Sequence, residues 1–261
     1  MKKTLSLTAA WNEASAFARR DFGQLFLIAF GLISLPAVIL QSAMPATEPG
    51  VAPEVGAWAL LIGPVLLLSI LGTLTLTNLA LGRSPDPRDA FAQALARLPA
   101  VLGAALLFGL GAALAAIPLI IVFALMVPSP QAAAAILVPF MLVYFLCLWV
   151  RLLLINPVGA AERGGPVAIL KRSWGLIKGH FWTLLGLTLA LLVLFMVLAG
   201  AVGAAGGAII LLLTGPAEPG SLGSVAILLL GGVLNGVVGV FFAALVARIY
   251  AQLTALPSRG I

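Results

Sequence analysis

The chain has 261 residues, of which 62% are hydrophobic and only 8% charged, and its mean hydropathy is +1.21. A typical soluble domain is about 25% charged, so 14 basic and 8 acidic side chains are too few to cover a water-facing surface of this size. The composition excludes a soluble globular protein and points to a chain solvated by lipid, in which the net charge of +6 has to be explained by where the cations sit.

Residues 6–20 carry Leu7, Ala10, Trp11, Ala14, Phe17 and Ala18 on one helical face and Thr8, Asn12, Ser15 and Arg19 on the other. That pattern predicts an amphipathic helix lying in a membrane surface. Met1-Lys2-Lys3 with Ala14-Ser15-Ala16 downstream imitates a secretory signal, but Asn12 and Glu13 interrupt the apolar stretch and Arg19-Arg20 follow it, so no cleavage is expected. Charge-free runs then extend over 22–47, 55–82, 98–150, 179–217 and 219–247. A helix needs about 20 apolar residues to cross about 30 Å of hydrocarbon. The run 98–150 has room for two helices and is broken at Pro128-Ser129-Pro130. Six spans are therefore predicted, at about 22–43, 57–80, 101–126, 132–154, 181–213 and 223–247. The fifth is over-long, and its Gly and Ala run from Gly200 to Ala208 is expected to bend it, tilt it or end it early. The runs lack the period-two alternation of a membrane barrel, which excludes strands.

Two further surface helices are predicted, at 86–98 and 165–178. Asp86 is a good N-cap, Pro87 suits the first turn, and Phe91, Ala94, Leu95 and Leu98 form an apolar stripe. In the second, Gly165-Pro166 opens the helix, Leu170, Trp174, Ile177 and Phe181 face one way, and Lys171, Arg172 and Lys178 face elsewhere. The fold class follows: an all-α polytopic membrane protein, one integral membrane domain over 1–261, with six spans arranged as three hairpins, each preceded by an interfacial amphipathic helix. An offset of 78 residues relates Arg19 to Arg97, Asn78 to Asn156 and Ala90 to Ala168, in keeping with an internal repeat.

With six spans, both tails and the loops near 81–100 and 155–180 share one side of the membrane. That side holds all 14 Lys and Arg, from Lys2 and Lys3 to Arg259, while the opposite loops hold none and carry Glu48, Glu54 and Glu218. Segregation of positive charge predicts both termini in the cytoplasm of a bacterial inner membrane, and it explains the basic pI without any nucleic acid.

The stretch from Ala168 to Trp182, reading AILKRSWGLIKGHFW, resembles a passage in the membrane domain fused to some glycerophosphoryl diester phosphodiesterases, and in related uncharacterised bacterial inner-membrane proteins. The resemblance covers most of the chain in layout and is specific over some 15 to 30 residues. It implies a membrane-embedded helical domain, in fused members beside a catalytic barrel that is absent here.

Enzyme chemistry finds little to work with. A nucleophilic triad needs a histidine base with a carboxylate orienter, and a metal centre needs several His, Cys, Asp or Glu ligands, but His180 and Cys147 are the only residues of their types. No catalytic residue, metal site or cofactor is expected, and the chain reads as non-enzymatic. The cations Arg163, Lys171, Arg172 and Lys178 are the candidates for lipid-headgroup contact, since each cation near an anionic leaflet contributes on the order of 1 kcal/mol; generic anchoring explains the same charges. Gly203 and Gly207 in span five, and Gly232 and Gly236 in span six, lie four apart and predict that these two spans pack as a close pair; dimerisation through one of these faces is the alternative. Asn235 is the one mid-span amide and is expected to hydrogen-bond between helices. Pro36, Pro64, Pro118 and Pro139 lie in the non-cytoplasmic halves of spans one to four, where they either splay the helices into a cleft or are simply tolerated. The first functional expectation is a lipid-interacting scaffold or accessory module, with membrane lipids, possible anionic ones among them, and a membrane or cytoplasmic protein as partners. The second is a permease or facilitator for an uncharged or amphiphilic solute.

Overall fold

The computed structural model describes residues 5–45, 55–127, 129–216, 218 and 220–255. Lys2, Lys3, Glu48, Glu54, Pro128 and Arg259 lie outside the described residues. Among the described residues all regular structure is helical: α1 (Leu7–Arg20), α2 (Phe22–Ala29), a π-turn (Phe30–Ser34), α3 (Leu35–Ala43), a 3-10 turn (Ala57–Leu61), α4 (Ile62–Ala80), α5 (Pro87–Met126), α6 (Pro130–Leu152), α7 (Ile155–Ala161), α8 (Pro166–Ile177), α9 (Phe181–Thr214) and α10 (Leu222–Ala255). Among the described residues six stretches are long and apolar enough to cross a membrane: Phe22–Ala43, Ala57–Ala80, Pro87–Phe123, Ala135–Ala161, Phe181–Thr214 and Leu222–Ala255. They fit a multi-pass membrane protein and agree with the count read from the charge-free runs.

Short polar residues start the helices. Ser6 accepts from the Ala9 N–H at 3.3 Å, Asp86 from Arg88 at 3.0 Å and Ser129 from Ala132 at 3.2 Å, each satisfying a donor that has no partner inside the helix. Pro87, Pro130 and Pro166 stand where a missing N–H costs nothing. Gly179 turns α8 into α9 with a φ of +96°, and Gly215 ends α9 with a φ of +80°, both left-handed conformations that a side chain resists.

Two expectations are corrected. The surface helix at 86–98 is not separate from the span at 101–126: α5 is one helix of 40 residues with Pro99 inside it. Pro99 gives up one backbone bond, but Ala90, Ala94, Val101 and Ala104 form a single buried stripe across it, and α4, α7 and α8 hold both pieces in line. The second is narrowed: of bending, tilting and ending early, the early end does not occur, since α9 passes through Gly200 to Ala208 and runs 34 residues. In hydrocarbon a backbone can satisfy itself only by remaining helical, so the low helix propensity of glycine does not stop it.

Span one contains the one π-turn among the described residues. Pro36 lacks an N–H and its ring crowds the carbonyl four residues back, and the Leu35 N–H bonds instead to Phe30, five residues back. This wide turn is clasped by glycines. A Cβ placed on Gly72 of α4 would stand 2.7 Å from Ile33, and one on Gly232 of α10 would stand 2.7 Å from Val38.

Taken by contact, the spans close a ring: first on second, second on third, third on fourth, fourth on fifth, fifth on sixth and sixth on first, with the second also reaching the sixth. The ring is filled at one end. Leu74, Leu76, Val101, Val150, Leu154, Val158, Ile169, Ile177, Leu184, Leu245 and Ile249 are all but inaccessible there.

Candidate functional site

The filled end is where the cations gather, and side chains bind its loops together. Arg83 donates to the carbonyl of Ala160, Asn78 Nδ2 to that of Ala90 at 3.2 Å, and Gln93 to the Ser84 hydroxyl at 2.7 Å. Glu162 accepts from Arg172 Nε at 3.0 Å and from the Tyr250 hydroxyl at 2.9 Å, joining the α7–α8 link to the end of α10. The N-terminal helix is held on α10 by the Ser6 N–H donating to Gln252 Oε1 at 3.0 Å and by Arg248 at 4.0 Å from Glu13. The exposed ion pairs contribute at most about 1 kcal/mol each, so their effect is to fix geometry.

Beside this network, α8 meets α5 and α6 around an apolar groove of about 640 Å³. Phe108, Gly111 and Ala115 of α5 and Tyr144 and Leu148 of α6 form its walls. The Tyr144 hydroxyl donates to the carbonyl of Ala112 at 3.0 Å, which ties the two walls together. Lys171, Trp174, Gly175 and Lys178 line the groove from α8. Their spacing of three, four and seven residues puts them on one face of that helix. Arg151 lies over the Trp174 ring, 4.4 Å from its centroid, and over the Phe181 ring at 4.8 Å. Such contacts contribute roughly 0.5–2 kcal/mol and hold a third positive charge close to the groove. Among the described residues no ion pair reaches Lys171, Lys178 or Arg151. Gly111 and Gly175 leave open space where side chains would project.

The four predicted headgroup cations do not converge. Lys171 and Lys178 line the groove, Arg172 is turned away to Glu162, and Arg163 is exposed on the link between α7 and α8. Arg151, at the end of α6, stands beside the groove through its contact with Trp174. The Arg151–Trp174 contact joins two separate helices and leaves no local signal in the sequence.

The glycine rows meet a different partner from the expected one. Gly232 receives Val38 and Gly236 receives Phe26 and Ser34, so span six is packed closely on span one. Gly203 and Gly207 have nothing within 4 Å of an added Cβ. Spans five and six do touch, through Gly206 on Leu230 and Phe195 on Phe241. The π-turn is the physical reason: it broadens span one just where the glycines of α10 leave a hollow. Asn235 Oδ1 accepts from the Ser34 hydroxyl at 3.1 Å, an interhelical hydrogen bond between spans six and one.

Neither the curated proteins nor the solved structures contain a match to this chain. A family model does match, over residues 14–253, and the chain belongs to that family, described as Domain of unknown function (DUF7847).

Proposed function

We propose that this protein is a non-enzymatic, lipid-interacting module of the bacterial inner membrane, a scaffold or accessory protein that holds an anionic phospholipid. In this reading both termini are cytoplasmic. The chain is threaded as three hairpins, each led by a helix lying in the cytoplasmic interface: α1, the start of α5, and α8. It is related in layout to the membrane domain attached to some glycerophosphoryl diester phosphodiesterases.

One observation carries the reading. Lys171 and Lys178 are cations without acidic partners among the described residues, and they border a groove whose walls are apolar. A phosphate answers the charge and an acyl chain answers the walls, so an anionic phospholipid satisfies both at once. Arg151, held by two aromatic rings, adds positive potential without competing for the chain. The test is native mass spectrometry of the purified protein with added phospholipids. Anionic lipid is retained in preference to zwitterionic lipid, and the preference is lost when Lys171 and Lys178 are neutralised.

The facilitator reading is favoured by one feature, the mid-span amide of Asn235. It is tested by solute flux in liposomes, where movement abolished by Asn235→Leu in a folded protein supports it.

A further inference from the structure

The helix α1 meets α10 around a second apolar groove, of about 420 Å³. Ser15, Ala18 and Arg19 line it from α1, Phe22 from the start of span one, and Val237, Val240 and Phe241 from α10. Trp11 packs edge-on against the Phe241 ring, with centroids 4.5 Å apart, which fixes that wall.

The register is that of the lysine groove. Ser15, Ala18, Arg19 and Phe22 stand 156 residues before Lys171, Trp174, Gly175 and Lys178, twice the offset of 78 that relates Arg19 to Arg97, and each set of four lines its own groove. The facing helices correspond as well. Phe241 lines one groove seven residues before Arg248, as Tyr144 lines the other seven residues before Arg151. Each arginine lies over a ring from the helix that closes its groove, Arg151 at 4.4 Å from Trp174 and Arg248 at 5.9 Å from Phe17. A hollow left by chance has no reason to recur in step with a repeat.

The charges differ between the two. Arg248 is also 4.0 Å from Glu13, and Arg20 is held by Asp21 at 3.1 Å. Arg19 has no acidic partner among the described residues, and the half-buried Ser15 lies one turn before it on the same face. Arg19 precedes by three residues the apolar span that begins at Phe22. Gly236 receives Phe26 and Gly232 receives Val38, so span one and α10 run antiparallel, and Phe22 comes level with Val240. The cation therefore stands at headgroup height with the apolar wall beneath it.

We propose that this groove binds a second phospholipid, from the leaflet at the basic end, with Arg19 and the Ser15 hydroxyl on its phosphate diester and an acyl chain against Phe22, Val237 and Phe241. One guanidinium answers one phosphate through its fork of donors, where the lysine groove offers three cations, so the headgroup beyond the phosphate is not selected. The site uses neither Lys171 nor Lys178, and each groove can fail without the other.

Native mass spectrometry of the full chain tests this in Lys171→Gln/Lys178→Gln protein, where lipid on the lysine groove does not contribute. The probes are phosphatidylethanolamine, phosphatidylglycerol and a diacylglycerol with the same chains. Both phospholipids are retained and the diacylglycerol is not. Arg19→Gln lowers the phospholipid-bound fraction about fivefold, and Arg20→Gln, outside the groove, lowers it less than about twofold. Val237→Trp keeps the charge, fills the place of the chain and lowers the fraction about tenfold, the effect of displacing roughly two methylenes. Equal losses from Arg19→Gln and Arg20→Gln overturn the proposal, as does unchanged binding in both Arg19→Gln and Val237→Trp. So does diacylglycerol held as well as phospholipid, or a dimer that Val237→Trp dissociates, which would make the occupant a second copy of the chain. Retention that is indifferent to neutralising the two lysines but falls with Arg19→Gln removes the lysine groove and leaves this site standing.

Discussion

Replacing both lysines of α8 by glutamine separates a lipid site from a basic surface. Lys171 and Lys178 lie on the helix face that lines the groove, while Arg163 and Arg172 carry the same charge close by but outside it. Each cation near an anionic headgroup contributes on the order of 1 kcal/mol, so losing two costs about 2 kcal/mol, or roughly a thirtyfold weaker hold. Arg163→Gln/Arg172→Gln removes the same formal charge, and its effect on the groove is screened by water and by Glu162, so a loss of less than about threefold is expected. The assay is titration of purified protein in neutral detergent with a fluorescent anionic phospholipid, repeated with a zwitterionic one. Gly175→Leu gives an independent check, because it obstructs the groove without altering charge and weakens both lipids together. Equal losses from the two charge pairs would show that the cations act as a diffuse field and that the groove binds nothing.

Four further outcomes follow from the same geometry. Gly232→Ala places a methyl group 2.7 Å from Val38 and lowers stability by about 1–3 kcal/mol, read as a lower melting temperature in detergent, whereas Gly203→Ala, with open space around it, leaves melting unchanged. A double-mutant cycle of Ser34→Ala with Asn235→Leu yields a coupling of about 0.6–1.7 kcal/mol, the range for hydrogen bonds between membrane helices; zero coupling contradicts the bond. Arg151→Met keeps the bulk and loses the stacked charge, costing about 0.5–2 kcal/mol in thermal melting and weakening anionic more than zwitterionic lipid. Pro36→Ala restores a donor to span one and lets the π-turn relax to an ordinary α-turn, which rotates Ser34 off Asn235; the cycle repeated in that background loses its coupling.

Spans were legible because charge cannot be hidden in hydrocarbon, and the gaps between Asp21, Arg83, Arg97, Arg151 and Arg248 therefore measure helices directly. The shared end of the basic loops followed from the same count, and Arg83 on Ala160 and Tyr250 on Glu162 show those segments in contact. Partnership was not legible. Spacing glycines four apart says that a backbone can come close at Gly232 and Gly236, but which helix comes is settled by the π-turn of span one, itself the consequence of a proline whose effect on helix geometry depends on its neighbours. The continuity of α5 through Pro99 escaped for a related reason: helical periodicity reports which face is apolar and says nothing about the angle between two successive pieces. Of the four cations singled out in the sequence, Lys171 and Lys178 border the groove, as their shared helix face allows. Arg172 was lost to Glu162 ten residues earlier, a pairing across the α7–α8 link that sequence distance conceals.

The central claim is that the cation-rich end of the helix ring faces the cytoplasm and the opposite end faces away from it. Single cysteines at Arg163→Cys and Glu218→Cys, in a Cys147→Ser background, probe the two ends with a membrane-impermeant maleimide applied to intact cells. The account predicts rapid labelling at position 218 and none at position 163 until the cells are lysed. Labelling at 163 in intact cells, with 218 protected, would contradict it.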